Sequence, residues 1–185
     1  MSKKERLLLV DGYNVLGAWP SAGKGRSMDE ARDFLIHQLQ DYAGFTGQRV
    51  IVVFDAWQGE RLSRSQETRG ALTVVFTQKG ELADHYIERT CDELARRIEL
   101  GRLEVRVATS DALEQTVVMA RGAIRLSARE LIYEIGQSQK GAAPYAQQKV
   151  KSGRATIYDH LPAETRERLK KWIAEGKDGG NQFTE

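Results

Sequence analysis

Short apolar runs recur along the chain and are separated by longer amphipathic stretches. Five of these runs have the length and the Val, Ile and Leu content of strands that are covered on both faces. The predicted strands are Leu7–Val10, Val50–Phe54, Leu72–Thr77, Leu103–Thr109 and a weaker Ala123–Leu126. Glu104 and Arg106 interrupt the fourth run, which is unusual for a strand in the centre of a sheet.

The stretches between these runs have helical periodicity, with apolar residues every three or four positions. Helices are predicted from Met28 to the glycines Gly44 and Gly47, along the stripe Ile87–Ile98, after Ser110–Asp111 to about Gly122, and after the capping box Ser127–Glu130. Strand and helix alternate throughout. The sequence therefore predicts an α/β fold with three layers, in which a mainly parallel five-stranded sheet has helices on both faces.

The last quarter of the chain differs from the rest in charge. A chain of 185 residues suits one domain of ordinary size. Residues 1–139 are predicted to form the α/β body, and residues 140–177 to form a basic helical extension of the same domain. That extension has nine Lys and Arg against four Asp and Glu, and its last helix is predicted to start after Leu161-Pro162. Residues 178–185 are predicted to be a disordered tail.

Overall charge and cysteine content limit the classes of protein to consider. Lys and Arg number 28 against 26 Asp and Glu, so the formal net charge of +2 gives no strong sign of a nucleic-acid or membrane partner. The single cysteine, Cys91, excludes an internal disulfide framework and favours a reducing compartment. The apolar runs are too short to cross a bilayer. We expect a soluble cytoplasmic protein.

Acidic residues follow three of the predicted strands. Asp11, Asp55 and Asp111 come directly after the first, second and fourth apolar runs or within two residues of them. The carboxyl ends of parallel strands meet at one edge of a sheet, where sites form. Asp84, on the helix after the third strand, lies about 60° from the centre of that helix's apolar stripe and would project toward the other acids. The alternatives are that Asp111 caps a helix and that Asp84 stabilises a helix N-terminus.

Four converging carboxylates indicate a divalent cation. Like charges a few ångströms apart repel unless a cation lies among them. Oxygen ligands without a Cys or His cluster select Mg²⁺ or Mn²⁺ over zinc, and such an ion supports phosphoryl chemistry. Asn14 could hold a ligand or a phosphate oxygen, or it could stabilise the tight turn after Gly12. The segment Gly17–Gly25 has the wrong spacing for a phosphate-binding loop.

Five motifs in this order resemble those of the YacP-like NYN-domain proteins, which are bacterial and plastid relatives of PIN-domain nucleases. The motifs are Leu-Val-Asp11-Gly-Tyr-Asn14, Val-Val-Phe-Asp55-Ala, Glu81-Leu-Ala-Asp84, Ala-Thr-Ser110-Asp111 and Ser127-Ala-Arg129-Glu130-Leu131. The resemblance spans about residues 7–135 and continues more loosely through the basic C-terminal helix.

This resemblance implies a PIN-like sheet, a divalent-metal site, and endoribonuclease activity that in the family is connected with mRNA on translating ribosomes. Asp11 and Asp84 would be the principal metal ligands and Asp111 the next. Asp55 would bind the metal or orient a ligand, and Asn14 would complete the catalytic set. Water would be the nucleophile. A non-catalytic RNA- or ribosome-binding module, or a small-molecule phosphatase on a similar fold, are the rival functions.

Basic residues near the acids and in the C-terminal extension are candidates for contacts with RNA phosphates. One group lies in the polar stretch Gln58–Gly70, interpreted as a loop beside Asp55. The candidates are Arg61, Arg64, Arg69, Arg129, Lys149, Lys151, Arg154, Arg168, Lys170 and Lys171. Tyr13 and Trp57 could stack on an unpaired base. Each residue could instead have an ordinary structural role. Most of the charges could simply be solvated, Arg129 could form an ion pair, and Trp57 could pack against the protein.

Overall fold

A six-stranded sheet lies at the centre of the fold. The structure is a computed structural model and describes residues 4–56 and 63–151. The strands are β1 (Glu5–Asp11), β2 (Arg49–Phe54), β3 (Ser65–Arg69), β4 (Leu72–Phe76), β5 (Leu103–Ala108) and β6 (Ile124–Leu126). Their spatial order is β3-β4-β2-β1-β5-β6. Every neighbouring pair is parallel except β3 and β4, which are antiparallel.

Helices connect most of the strands, and the four longest lie where the periodicity predicts them. They are α1 (Gly12–Gly17), α2 (Pro20–Gly23), α3 (Met28–Thr46), α4 (Ala83–Glu99), α5 (Ala112–Ala120) and α6 (Ala128–Lys151). Helix α3 ends at Gly47, whose φ of 65° is in the left-handed region that glycine tolerates. The predicted capping box of α6 is confirmed, because Glu130 N–H donates to Ser127 Oγ at 3.2 Å and Ser127 N–H donates to the Glu130 carboxylate at 2.7 Å.

Two apolar layers cover the two faces of the sheet. Leu8 and Val10 of β1 pack on one face with residues of α3 and α6. Leu7 and Leu9 point to the opposite face and pack with residues of α4 and α5. This alternation follows from the two-residue period of a strand. The three-layer α/β architecture that the sequence predicts is confirmed.

The sheet has one strand more than predicted. Residues Ser65–Arg69 form β3, an edge strand, although they belong to the polar stretch interpreted as a loop. The sequence Ser-Gln-Glu-Thr-Arg has no apolar residue, and each of its side chains is at least partly exposed. An edge strand that buries neither face has no alternation for sequence analysis to detect.

Arg106, which interrupts the apolar run of β5, takes part in a network that joins α3, β5 and α6. Its guanidinium donates to the Glu134 carboxylate at 3.0 and 2.5 Å. Tyr42 Oη donates to the same carboxylate at 2.6 Å. The strand lies between β1 and β6. A charged residue is tolerated there because its charge is paired and hydrogen-bonded.

The chain divides into two compact units, Met1–Ala142 and Ala143–Glu185. The predicted boundary after residue 139 stays a prediction. The helix expected after Leu161-Pro162 and the tail 178–185 lie outside the described residues. In the described part of the chain, no helix combines the length and apolar character needed to cross a bilayer.

Candidate active site

A cavity of about 190 Å³ lies at the carboxyl edge of the sheet. Its lining residues are Asp11, Asn14, Asp55, Leu82, Ala83, Asp84, Glu88 and Asp111. The structure thus brings together all four predicted acids and Asn14. They come from the ends of three parallel strands and from the first turn of α4, as expected for an open α/β sheet.

Asp11 is the last residue of β1 and also the N-cap of α1. Its carboxylate accepts a hydrogen bond from Asn14 N–H at 3.0 Å. Gly12 follows, and a Cβ built on it would lie 2.8 Å from Cζ of Phe54. A glycine is therefore required for α1 to start so close to the end of β2. The local sequence Asp-Gly fixes the Asp11 carboxylate at the cavity wall.

Asn14 joins the end of β1 to the end of β5. Its Oδ1 accepts a hydrogen bond from Ser110 N–H at 2.7 Å, and Ser110 precedes Asp111. The amide oxygen is therefore engaged by the backbone, and the amide nitrogen is the group left as a donor at the cavity. Thr109 is fully buried, and its Oγ1 accepts from Asp111 N–H at 3.1 Å. These bonds fix the backbone that presents Asp111.

Asp55 joins the end of β2 to the start of α4. Its carboxylate accepts a hydrogen bond from Ala83 N–H, one of the backbone donors that a helix start leaves without an intrahelical partner. The buried Thr77 accepts from Ala56 N–H at 3.0 Å and fixes the same loop. Asp84 follows Ala83, and its carboxylate accepts from His85 N–H at 2.6 Å. Asp84 therefore interacts with the helix start and also lines the cavity.

Burial and neighbouring charges raise the proton affinity of two acids of the cavity, Asp11 and Asp55. Burial, aided by the charges of Asp55 and Asp84, raises the pKa of Asp11 to about 6. Burial also raises the pKa of Asp55, and the charge of Asp84 acts in the same direction, although the hydrogen bond from Ala83 opposes them. Ionising these carboxylates together costs free energy unless a cation compensates them.

The donor set fits a hard divalent cation. The polar side chains that line the cavity offer carboxylate and amide groups and neither imidazole nor thiolate. In residues 4–56 and 63–151, no three His, Cys, Asp or Glu side chains lie close enough together to form a metal-binding group. Three of the carboxylates are instead hydrogen-bonded to backbone N–H groups. Such an open arrangement suits Mg²⁺, which keeps several water ligands and binds through one or two carboxylates.

Sequence analysis assigned no role to several groups at the cavity. Glu88 lines it one helical turn after Asp84, and that i,i+4 spacing was a detectable signal. Ala83 contributes a backbone N–H, which no side-chain pattern reveals. Thr77 and Thr109 were included in the predicted strands, but their role in fixing the acid-bearing loops depends on tertiary contacts.

The basic residues predicted to contact RNA are placed differently from one another. Arg64 is paired with Glu81, beside the start of α4. Arg69 is paired with Glu67. It lies opposite Leu72, four residues before the end of β4 that is nearest the cavity. The backbone of Arg69 is therefore about 13 Å from that end of the strand. Arg129 is exposed in the first turn of α6.

The other predicted RNA contacts are not described by the structure. Arg61, Trp57, Arg154, Arg168, Lys170 and Lys171 lie outside the described residues, and so do the side chains of Lys149 and Lys151. Tyr13 is described and packs edge-on against Phe54, with ring centroids 5.3 Å apart. Its hydroxyl accepts from Arg32 at 2.9 Å. Tyr13 is thus held in place by these two contacts and is partly exposed, and its stacking on a base stays a prediction.

Comparisons with known proteins agree with this architecture. The family model described as "YacP-like NYN domain" matches residues 8–174. The YacP protein of Bacillus subtilis (strain 168) is 45% identical over 131 residues, which cover 70% of this chain and 74% of that protein. Crystal structures of Rae1 (YacP) from Bacillus subtilis, one of them a tryptophan-to-leucine mutant, are 36% identical and have TM-scores of 0.66.

These crystal structures cover 90% and 95% of this chain, and the chain covers 98% and 99% of theirs. The similarity confirms the PIN-like α/β fold that the sequence motifs imply, with six strands instead of five. The chain belongs to the YacP-like NYN domain family, which has a nuclease-type fold.

Proposed function

We propose that this protein is a metal-dependent endoribonuclease that hydrolyses RNA phosphodiester bonds. The observation that supports the proposal is the convergence of four carboxylates, from Asp11, Asp55, Asp84 and Asp111, on one cavity at the carboxyl edge of the sheet. The chain belongs to a family with a nuclease-type fold, which favours a role for these acids in phosphodiester hydrolysis. RNA is the proposed substrate, Mg²⁺ or Mn²⁺ the proposed cofactor, and the cytoplasm the proposed compartment.

Each cavity residue has a proposed role. Asp11, Asp84 and Asp111 would hold the cation. Asp55, whose carboxylate already holds Ala83 N–H, would keep Asp84 in place and contribute its remaining lone pairs to the ion or its water shell.

Asn14 would donate its amide N–H to a phosphate oxygen, since its own oxygen is bound to Ser110. When bound, the cation would lower the pKa of water at the site and neutralise phosphate charge. Water would add to phosphorus as the phosphodiester P–O bond breaks, and the leaving oxygen would take up a proton in exchange for the one that the water loses.

The finer assignment is that the substrate is mRNA and that cleavage occurs on the ribosome. This assignment rests on the family resemblance, so the experiment tests it by a separate incubation with translating ribosomes. Labelled RNA is incubated with the protein alone and with translating ribosomes, in Mg²⁺, in Mn²⁺ and in EDTA. Cleavage that requires a divalent cation supports the activity. Cleavage only when ribosomes are present supports the finer assignment.

Substitution of the acids tests the site. Asp11→Asn and Asp84→Asn should each lower the cleavage rate by about a hundredfold or more, because metal catalysis is worth several kcal/mol. RNA binding should change little, and neither variant should unfold at a lower temperature than the wild type. Asp41→Asn is the matched control, since Asp41 is an exposed acid on α3 that does not line the cavity.

The outcomes separate the alternatives. Full metal-dependent cleavage by the Asp11→Asn/Asp84→Asn double variant would show that the site is wrongly assigned. RNA that is bound by the wild-type protein but never cut under any of the three ionic conditions would favour a non-catalytic binding module.

A further inference from the structure

Two arginines converge on one carboxylate beside the start of α4. Arg64 donates to Glu81 through Nε at 3.2 Å and through Nη2 at 2.5 Å. Arg89 donates to the same carboxylate through Nη2. The Glu81 side chain is only 9% exposed, whereas those of Arg64 and Arg89 are 35% and 50% exposed. The carboxylate is thus covered and the two guanidinium groups face outward.

An aromatic ring supports both arginines. The guanidinium carbons of Arg64 and Arg89 lie 4.9 and 6.0 Å from the centroid of the Tyr86 ring. Contact with the ring and pairing with Glu81, which is bidentate for Arg64, restrict the side chains before any ligand binds, and this lowers the entropy cost of binding. Each guanidinium has five N–H donors. In the described part of the chain, the bonds to Glu81 use Nε and Nη2 of Arg64 and Nη2 of Arg89, so donors remain on both.

The two arginines keep the carboxylate of Glu81 ionised. Burial raises the pKa of Glu81, but the hydrogen bonds from Arg64 and Arg89 outweigh burial and leave that pKa below its ordinary value. Two cationic groups around one anionic group leave an excess of one positive charge. The excess is fixed in place, unlike that of a solvated lysine.

The cluster adjoins the acidic cavity. Glu81 is two residues before Ala83, which lines the cavity, and Arg89 directly follows Glu88, which lines it too. An RNA strand that brings one phosphate to the cavity must bring a second phosphate past its rim. The carboxylates repel both phosphates, so fixed positive charge at the rim is what the electrostatics of the site require.

We propose that Arg64 and Arg89, held together by Glu81 and Tyr86, bind a phosphate of the RNA strand next to the scissile one. The proposal rests on the proposed function only in taking RNA as the ligand. Arg64 was a candidate RNA contact from the sequence. Arg89 and the shared carboxylate were not, because the bonds from Arg64 and Arg89 to Glu81 join residues 17 and 8 positions apart and depend on tertiary structure.

The test measures how the affinity for a fluorescent single-stranded RNA depends on salt, in EDTA so that no cleavage occurs. The logarithm of the binding constant falls with the logarithm of salt concentration by about 0.7 for each phosphate contact on a single strand. Arg89→Gln should make this slope shallower by up to about 0.7. Arg89→Lys, which keeps the charge but not the fork of donors, should recover most of the slope.

Arg97→Gln is the matched control. Arg97 lies on the same helix, is 43% exposed and is paired with Glu5 at 3.0 Å, but at the opposite edge of the sheet from the cavity. Its substitution should leave the slope unchanged. Thermal unfolding of all three variants in the same buffer shows whether they are folded, and Arg89→Lys retains a cation for Glu81 in case Arg89→Gln is unstable.

The results keep this proposal apart from the proposed function. Equal slopes for wild type, Arg89→Gln and Arg97→Gln overturn the phosphate site, even if the protein cuts RNA. A shallower slope for Arg89→Gln alone supports the site, even if the wild-type protein never cuts RNA. Failure of the wild-type protein to bind RNA at any salt concentration overturns the phosphate site but not the proposed function, because cleavage is tested separately, with a divalent cation and with ribosomes.

Discussion

Asp11 shows how one residue can serve the fold and the site at once. It ends β1, caps α1 through Asn14 N–H and lines the acidic cavity. Its position after an apolar run was enough to predict it as a site residue. The partner of Asn14 was not predictable, because Ser110 is 96 residues away in the chain. Sequence patterns locate side chains at a sheet edge, whereas their hydrogen-bond partners depend on tertiary structure.

The raised pKa of Asp11 makes the stability of the protein depend on pH. Because the folded-state pKa of about 6 exceeds the ordinary value of 3.8, the protonated carboxyl group stabilises the fold below pH 3.8. That stabilisation is lost as pH rises through 6. Asp11→Asn imitates the neutral form. At pH 8 in EDTA, urea unfolding should show that its free energy of unfolding exceeds that of the wild type by about 1–3 kcal/mol.

The same comparison well below pH 3.8 should show little difference between the two proteins, since Asp11 is then protonated in both the folded and the unfolded state. Asp41→Asn is the control, because this exposed acid lies outside the cavity and its substitution should leave urea unfolding unchanged at both pH values. An Asp11→Asn variant less stable than wild type at pH 8 would contradict the electrostatic account.

Among the elements, those that have a periodic apolar pattern were predicted and those that do not were missed. Strands β1, β2, β4, β5 and β6 and helices α3 to α6 correspond to the predicted runs and stripes. Edge strand β3 has no apolar residue, and α1 is only six residues long, too short to present a periodic stripe. Hydrophobic periodicity reports burial, so elements placed by turn geometry or by edge pairing escape it.

The junction between β1 and α1 depends on close packing against the end of β2. Gly12→Ala would place Cβ against the Phe54 ring, which itself stacks on Phe76 at 5.5 Å. Overpacking of this kind typically costs about 1–3 kcal/mol. We expect urea unfolding of Gly12→Ala to show that loss, together with slower RNA cleavage because Asp11 shifts.

Gly17→Ala, at the other end of α1, is the matched control, because a Cβ there has nothing within 4 Å. Its stability should be equal to that of wild type or higher by a few tenths of a kcal/mol, since alanine favours a helix. Equal stability of Gly12→Ala and Gly17→Ala would show that the approach of Phe54 is not a constraint.

At the scale of the whole molecule, the net charge of +2 is the sum of 28 basic and 26 acidic residues that lie in different places. Four carboxylates gather at one cavity, and fixed arginines flank it. The net charge alone gave no strong sign of a nucleic-acid partner, because it does not show where the charges lie. The distribution became visible once the strand ends were located, since the fold gathers residues far apart in the chain.

Because the carboxylates belong to elements on both sides of β1, a cation that binds them should stabilise the whole domain. At ten times its dissociation constant, such a ligand adds about 1.4 kcal/mol to the free energy of unfolding. For a chain of this size we expect Mg²⁺ or Mn²⁺ to raise the Tm by about 3–6 °C, measured by calorimetry against EDTA. Asp41→Asn should keep this rise and Asp84→Asn should lose most of it. An equal rise in both variants would mean that the cation binds elsewhere on the protein.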